Sequence, residues 1–323
     1  MAFAKDDPAI IWLLFEYQYL STSQLSRILK RSRQVVLRRL RELRKLGFVK
    51  AMDTEIMSDN CYCLAQKGCE LIAGEMNTTV SKLPFSKGAV KAQATFWKHT
   101  LLTNSIRIAL TESASQHDEL LIHRHIPEWE QVERPRRRSK NNKHDNYLLW
   151  ERLEDEKKRK FYDHRPDGLI LVGRKSDPPD TYAGLFIEAD RGTEDIARKI
   201  KNKFNSYRLF YDQKLYYKNF GASVMRVLFV LSDITTDRRI HNMQNLLQKL
   251  AYQLKDKNPE PHGSPASFVH CFRFLRFDHL SDQTAWSDKL WQDWQGGKHS
   301  LFNAPDKVQN NIDTSNYQET QGA

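Results

Sequence analysis

Two apolar segments separated by a proline-rich turn constrain the fold of this chain more than any other feature. The segments are residues 169–172 and 185–187, and Asp177-Pro178-Pro179-Asp180 lies between them. Short apolar runs on both sides of such a polar stretch predict two antiparallel strands joined by a turn. A hairpin centred near residue 178 places Asp167 opposite residues 188–190.

Carboxylates are predicted to gather at the open end of this hairpin. Because residues two apart on a strand share a face, Glu188 and Asp190 are expected together, beside Asp167. Such acids repel one another unless a cation lies among them. Oxygen ligands suit hard divalent ions, so the three acids predict a Mg²⁺ or Mn²⁺ site. The alternative is a surface network in which the acids pair with Arg165, Arg191 and nearby lysines.

The charge of the chain indicates its partner. Lys and Arg number 51 and Asp and Glu number 40 among the 323 residues, which gives a net charge of +11. This excess favours a nucleic acid over a membrane surface. No apolar run approaches the roughly 18 residues of a spanning helix, and the N-terminus lacks a signal-peptide pattern. We therefore expect a cytoplasmic protein without membrane insertion, with its four cysteines reduced.

Residues 1–78 are predicted to form a winged helix-turn-helix domain. Capping residues indicate helices that begin near Asp6, Ser21 and Ser32, and Gly47 ends the third. Apolar segments on both sides of a polar tip then predict a small hairpin. Three helices followed by such a hairpin are typical of this domain.

The third helix is the predicted recognition helix. Ten Lys or Arg residues and one acid, Glu42, lie between Arg27 and Lys50. An apolar stripe faces inward, so the opposite side is free to contact bases or phosphates in a major groove. The expected DNA contacts are Ser32, Arg33, Gln34, Arg38, Arg41 and Lys45. A solvated charged helix in a protein-binding winged helix is the alternative.

The remainder is predicted to be a linker, residues 79–95, and an α/β domain, residues 96–300. The order helix, strand, hairpin, helix, strand indicates a layered core, so the whole chain is expected to be mixed α/β. Residues 130–160 are expected to be a charged, solvated insertion that either tracks a phosphate backbone or has no role. A late helix is expected around Trp286, Trp291 and Trp294, and a disordered tail at 303–323.

Several motifs together resemble the replication-relaxation family, which includes MobC-type relaxases that mobilise plasmids and integrative elements. The motifs are Leu20-Ser21-Thr22-Ser23-Gln24-Leu25, Ala65-Gln66-Lys67-Gly68, Arg165-Pro166-Asp167-Gly168 and Glu188-Ala189-Asp190-Arg191-Gly192-Thr193-Glu194. The resemblance covers roughly residues 8–230, and the order of elements resembles the PD-(D/E)xK nuclease fold, as an α/β sandwich.

The resemblance implies an enzyme that nicks one strand of double-stranded DNA at an origin of transfer or replication with Mg²⁺ or Mn²⁺. It also implies a bacterial cytoplasmic setting, with other mobilisation or transfer proteins as further partners. The alternative is a non-catalytic, winged-helix accessory or regulatory protein that retains a nuclease-like fold.

The family's site residues carry over with one departure. Asp167 and Glu188 resemble the two acids of the nuclease motif, whereas the position of the motif lysine holds Asp190. Lys199, in the next helix, is the expected replacement and would stabilise charge on the phosphate. Glu194 is expected to add a carboxylate or to favour the helix dipole. Arg191 is expected to hold a neighbouring phosphate.

Two tyrosines and two polar helix residues have competing interpretations. Tyr17 and Tyr19 could supply a nucleophile for DNA nicking, but core packing is favoured. His99 and Asn104 lie on an apolar helix, where a packed or surface role is favoured over a catalytic one.

Overall fold

The computed structural model describes residues 3–52, 59–83, 94–132, 146–178, 181–255, 267–280 and 285–301. Its N-terminal unit contains α1 (Asp7–Tyr17), β1 (Leu20–Ser21), α2 (Thr22–Leu29), α3 (Arg33–Lys45), β2 (Val49–Met52), β3 (Cys61–Leu64) and α4 (Gln66–Glu75). The strands form one sheet in the order β1-β3-β2. Three helices, two paired strands and a fourth helix follow one another in the order predicted from the sequence, although hairpin residues 53–58 lie outside the described residues.

Side-chain caps explain where α2 and α3 begin. Ser21 and Gln24 form a reciprocal capping box at the start of α2. Ser32 accepts a hydrogen bond from the Val35 backbone N–H at the start of α3. The apolar stripe of α3 is buried as predicted, because it packs into the core of the N-terminal unit.

The second unit is a seven-stranded mixed sheet covered by helices. It contains α5 (Ala94–Ala114), β4 (Leu120–Pro127), β5 (Glu151–Asp155), β6 (Lys160–His164), β7 (Gly168–Arg174), β8 (Tyr182–Asp190), α6 (Lys201–Asp212), α7 (Leu215–Phe220), β9 (Ala222–Leu231), α8 (Asp237–Lys255), β10 (Phe272–Arg276), β11 (Trp291–Gln292) and β12 (Lys298–His299). Short 3-10 helices span Val80–Lys82, Ser267–Cys271 and Phe277–His279, and a π-helical turn, Ile196–Ile200, precedes α6. The mixed α/β class is confirmed.

The sheet separates two apolar cores. Its strand order is β12-β11-β10-β9-β8-β7-β4, with β8, β9 and β10 parallel and the other pairs antiparallel. Leu185 and Ile187 of β8 pack on the side that α5 covers, whereas Phe186 packs with α6 and α8 on the other side. This alternation follows the period of two along a strand.

The central hairpin forms with the predicted register. β7 and β8 are antiparallel, and Gly168 lies opposite Ile187. The Asp167 backbone N–H donates to the Ile187 carbonyl at 3.0 Å, which brings Asp167 to the end of β8. Of the predicted turn, residues 179–180 lie outside the described residues.

Part of the predicted charged insertion is ordered structure. β5 and β6 form an antiparallel hairpin, and Tyr162 and Leu153 contribute to the core beneath α6. Residues 151–155 are therefore not a solvated arm, because alternate residues of β5 are buried, whereas residues 156–160 are exposed as predicted. Residues 133–145, with Arg136-Arg137-Arg138, lie outside the described residues.

The predicted late helix is wrong. Trp291 lies in β11, and β11 and β12 form a hairpin whose turn includes Gly296, with a φ of +88°. Asp293 accepts hydrogen bonds from the backbone N–H groups of Gln295 and Gly297, so the local sequence specifies a turn. The Trp286 indole instead donates to the Leu110 carbonyl and fastens this segment to α5.

Other boundary predictions fall partly outside the described residues. Residues 84–93 of the predicted linker and all of the predicted tail, 303–323, belong to that set. Among the described helices, none combines the length and the apolar character that crossing a membrane requires.

Candidate functional site

The predicted DNA-contact residues lie on the exposed side of α3. Ser32, Arg33, Gln34, Arg38, Arg41 and Lys45 are all exposed, as is the neighbouring Arg44. Arg38 and Arg41 form no ion pair with another described residue. On the side opposite its buried stripe, the helix therefore presents two exposed guanidinium groups that pair with no acid in the described part of the chain.

Three cations of α3 have partners within the chain. Arg39 binds the buried Asp7 with two hydrogen bonds, of 2.9 and 2.6 Å, and so fixes α3 against α1. Arg33 reaches Asp59 at 3.1 Å, and Lys45 reaches Glu42 at 3.0 Å. The predicted DNA contacts included Arg38 and left out Arg39, but the pairing of Arg39 with Asp7 had no sequence signal because Asp7 lies on a different helix.

Asp167 lies where α5 and the central hairpin meet. Its Oδ2 accepts a hydrogen bond from the Ala189 backbone N–H at 2.7 Å. Its Oδ1 lies 3.0 Å from Nε2 of His99, which α5 contributes. Burial opposes ionisation of Asp167, but His99 and Lys203 outweigh it and hold the pKa of Asp167 at about 2. The charge of Asp167 raises the pKa of His99 to about 9. The two therefore form a charged pair at neutral pH.

Glu188 is held from the other side by α6. Lys203 donates to its Oε2 at 2.6 Å, and the Tyr207 hydroxyl donates to its Oε1 at 2.7 Å. Lys203 also lies 3.5 Å from Glu194. Burial raises the pKa of Glu188 to about 7, although Lys203 opposes the shift. Burial would lower the pKa of Lys203, but Glu188 and its acidic neighbours raise it, so Lys203 stays protonated.

Asp190 belongs to a different set of contacts. It forms two hydrogen bonds with Arg239 of α8, at 2.6 and 3.0 Å, and accepts one from the Gly192 backbone N–H at 2.8 Å. Arg239 also donates to the Glu194 carbonyl. Asp190 therefore pins the turn after β8 to α8.

A divalent metal does not fit this arrangement. Every carboxylate oxygen of Asp167, Glu188 and Asp190 accepts a hydrogen bond from within the chain, and each acid has its own cationic partner. Within the described ranges, no group of three or more His, Cys, Asp or Glu side chains could hold a metal ion. Side-chain cations thus balance the clustered charge that predicted a metal.

The remaining predicted site residues are dispersed. Lys199 is exposed, and the lysine that contacts Glu188 is Lys203, one helical turn further along. Glu194 contributes to the site through Lys203. Arg191 is half-buried in the turn after β8.

The contacts made by His99, Lys203, Tyr207 and Arg239 were not predicted from the sequence. A partial signal was present for Lys203, because it lies four positions before Tyr207, on the same face of a helix that begins soon after the second acid. His99 and Arg239 come from helices far away in the chain, and only tertiary packing brings them to the acids.

Both candidate tyrosines are core residues. Tyr19 is fully buried, and the Arg107 guanidinium stacks over the ring of Tyr17. Burial raises the pKa of each hydroxyl, which makes phenolate formation harder. These environments support the packing interpretation over that of a nucleophile.

Helix α5 joins the N-terminal unit to the acidic site. Asn104 is buried and donates to the Tyr17 and Tyr19 carbonyls at 2.9 and 2.7 Å. Gln24 of α2 donates to the Leu101 carbonyl of α5 at 2.8 Å. Because His99 lies on the same helix, the contact with Asp167 and the contacts with the N-terminal unit share one rigid element.

The fold and these contacts define a mixed α/β protein with a basic exposed helix in one unit and a buried acidic cluster in the other. The chain matches the model of the replication-relaxation family over residues 12–224, roughly two thirds of its 323 residues. The chain therefore belongs to the replication-relaxation family, which supports a role in plasmid replication or mobilisation. Searches of curated proteins and of solved structures find no match.

Proposed function

We propose that this protein binds duplex DNA during plasmid replication or mobilisation, with α3 as the recognition helix of a winged helix-turn-helix. The observation that carries the proposal is the exposed basic side of α3, where Arg38 and Arg41 lie opposite the buried stripe. Arginines placed in this way can bind phosphates or the edges of guanine bases in a major groove. Family membership supports the same role.

A binding measurement over a range of salt concentrations tests this proposal. Replacing Arg38 and Arg41 with Ala should lower the slope of log K against log salt by about 2, since each phosphate contact contributes about 0.9. A matched variant, Lys218→Ala with Lys298→Ala, removes two exposed charges outside α3 and should retain the parental slope. Equal slopes for all three proteins would move the DNA surface away from α3.

Metal-dependent strand nicking by a MobC-type relaxase of PD-(D/E)xK fold is a second candidate function. The observation that favours it is the convergence of Asp167, Glu188 and Lys203, two acids and a lysine of the kind that the nuclease motif uses. The observation against it is that each acid is fully bonded within the chain. We therefore favour a DNA-binding accessory protein that retains a nuclease-like domain.

Supercoiled plasmid separates the two candidates. Incubated with Mn²⁺ or Mg²⁺, the accessory protein should leave the plasmid supercoiled. Open circles made by the parent but not by the Asp167→Ala and Glu188→Ala variants would establish nicking at this site and overturn the preferred function.

A further inference from the structure

A second basic surface lies on the α/β unit, away from α3. It comprises the β5–β6 turn and the exposed lysines at the start of the helix beside it, and we call it the basic hairpin surface: Lys157, Lys158, Arg159, Lys160, Lys199 and Lys201. All six side chains are exposed. The turn contains one acid, Glu156. The exposed Asp195 and Arg198 lie beside the surface, and their opposite charges cancel. The surface is therefore strongly positive.

Contacts with α6 hold this surface in place. The Lys160 ammonium donates to the Asn202 side chain at 3.3 Å, and the Lys158 ammonium donates to the Asn205 side chain at 3.4 Å. Amide partners position the two ammonium groups without neutralising them. Lys199 lies one turn before Asn202, so the hairpin tip and the start of the helix form one continuous patch.

The buried Asp155 does not cancel the positive charge of the basic hairpin surface. Asp155 is buried and binds Arg208 at 2.6 Å, whereas its distance to Lys158 is 3.7 Å. Asp155 therefore pairs more closely with Arg208 than with Lys158, and the exposed Asp212 is near enough to Lys157 to interact with it. The surface keeps a net positive charge because its six cations outnumber these acids.

The turn also keeps an arginine where the backbone favours other residues. Arg159 has a φ of +49°, in the left-handed region. Glycine or asparagine adopts this conformation more easily than arginine. Lys30 and Lys214 have similar φ angles, so the angle describes the shape of the turn and is not by itself evidence for a ligand.

We infer that the basic hairpin surface binds the phosphate backbone of DNA, as a contact separate from α3. The inference rests on the proposed function, because it assumes that the partner is DNA. Lys199 lies one turn before Lys203, so the patch extends along α6 towards the acidic site at Glu188. A DNA strand bound along this surface would pass close to the acidic site at Glu188. Lysine side chains bind phosphates as point charges, which predicts binding without sequence preference.

The test measures binding of the full-length protein to labelled duplex DNA over a range of salt concentrations. The hairpin variant carries Lys157→Gln, Arg159→Gln and Lys199→Gln, and its charge-matched control carries Lys218→Gln, Lys289→Gln and Lys298→Gln. We expect the hairpin variant to bind about tenfold or more weakly and to lose about 2–3 from the salt slope, because it loses three phosphate contacts. The control should match the parent.

A third protein, with Arg38→Gln and Arg41→Gln, separates failure of this inference from failure of the proposed function. If the α3 variant binds weakly and the hairpin variant binds like the parent, the hairpin inference is overturned and the role of α3 stands. If only the hairpin variant weakens, α3 is not the DNA surface and the inference holds. Absence of salt-dependent binding by the parent overturns both.

Folding of the hairpin variant is verified by its thermal unfolding. Should the substitutions in the turn prevent folding, Lys199→Gln with Lys201→Gln, which leaves the hairpin intact, is measured instead. A loss of about 2 from the salt slope supports the inference, and an unchanged slope overturns it.

Discussion

Lys203 is the cation on which the acidic cluster depends. It donates to Glu188 at 2.6 Å, lies 3.5 Å from Glu194 and is close enough to Asp167 to lower its pKa. Replacing Lys203 with Met leaves Glu188 buried without its partner. Removing one member of a buried ion pair costs about 3–5 kcal/mol, so the free energy of unfolding in denaturant should fall by about that amount.

Lys199 supplies the matched control for this prediction. It lies four positions before Lys203 and is exposed, so Lys199→Met should change the free energy of unfolding by no more than about 0.5 kcal/mol. Adding Glu188→Gln to Lys203→Met should recover part of the loss, since the uncompensated charge is removed. Equal stability of the two lysine variants would show that Glu188 does not need Lys203.

His99 should make stability depend on pH in the alkaline range. Asp167 raises the pKa of His99 from 6.5 to about 9. A group whose pKa is higher in the folded state stabilises fully below its unfolded pKa, and this contribution is lost as the pH rises through the folded pKa. The contribution should thus be complete below pH 6.5 and disappear by about pH 9. The difference of about 2.5 in pKa corresponds to about 3 kcal/mol.

The variant His99→Gln tests this dependence. Its free energy of unfolding should lie about 3 kcal/mol below the parental value at pH 6 and approach it above about pH 9. If the free energies of unfolding of the two proteins change in parallel between about pH 6 and pH 9, Asp167 does not stabilise the protonated ring of His99.

The convergence of Asp167 and Glu188 could be predicted because it depends only on the register of one hairpin. A proline-rich turn between two apolar strands sets that register. The partners of the acids could not be predicted, since His99, Lys203 and Arg239 reach them from three helices whose packing has no local signal. The metal stays a prediction, and it was made from acids whose cationic partners the sequence did not show.

Among the elements, α5 connects the α/β unit to the N-terminal unit through side-chain hydrogen bonds. Its buried Asn104 donates to the carbonyls of Tyr17 and Tyr19, at 2.9 and 2.7 Å. Asn104→Ala should destabilise the protein by about 2 kcal/mol, since buried carbonyls lose their donor. Hydrogen exchange of the segment around β1 should accelerate in this variant.

Thr100→Ala is the control on the same helix. The Thr100 hydroxyl donates to the Phe96 carbonyl within α5, so its loss leaves the N-terminal unit untouched. Hydrogen exchange near β1 should then equal that of the parent. Faster exchange in both variants would indicate general fraying of α5 instead of the loss of a specific contact.

Strands and helices with strong periodicity were predictable, whereas two short hairpins were not. Apart from Arg226, the run at residues 224–231 is apolar, and it lies in the central strand β9. In the β5–β6 hairpin, by contrast, Glu151 and Asp155 point inward, and ion pairs and amide contacts with neighbouring helices satisfy them. Buried acids of this kind resemble a solvated loop in sequence, because their partners lie elsewhere in the chain.

For the whole molecule, the N-terminal unit and the α/β unit share one helix. Trp97 and Leu101 of α5 belong to the core of the N-terminal unit, whereas Ile106 and Leu110 belong to a core of the α/β unit. The predicted linker, residues 79–95, ends at the first residues of this helix, so the prediction did not anticipate that α5 would pack in both units. The apolar residues of α5 predict that the helix is buried, but they do not show which of two cores each residue enters.

The shared helix has a consequence for the geometry of bound DNA. With α5 seated in both cores, a duplex read by α3 would be held at one helical phase relative to Asp167 and Glu188. Inserting about 5 bp, half a turn of B-DNA, would rotate the downstream sequence to the opposite side of the duplex, whereas a full turn of about 10 bp would restore its orientation. Binding to an origin with two contact sites would then depend on the spacing between them with a period of one helical turn.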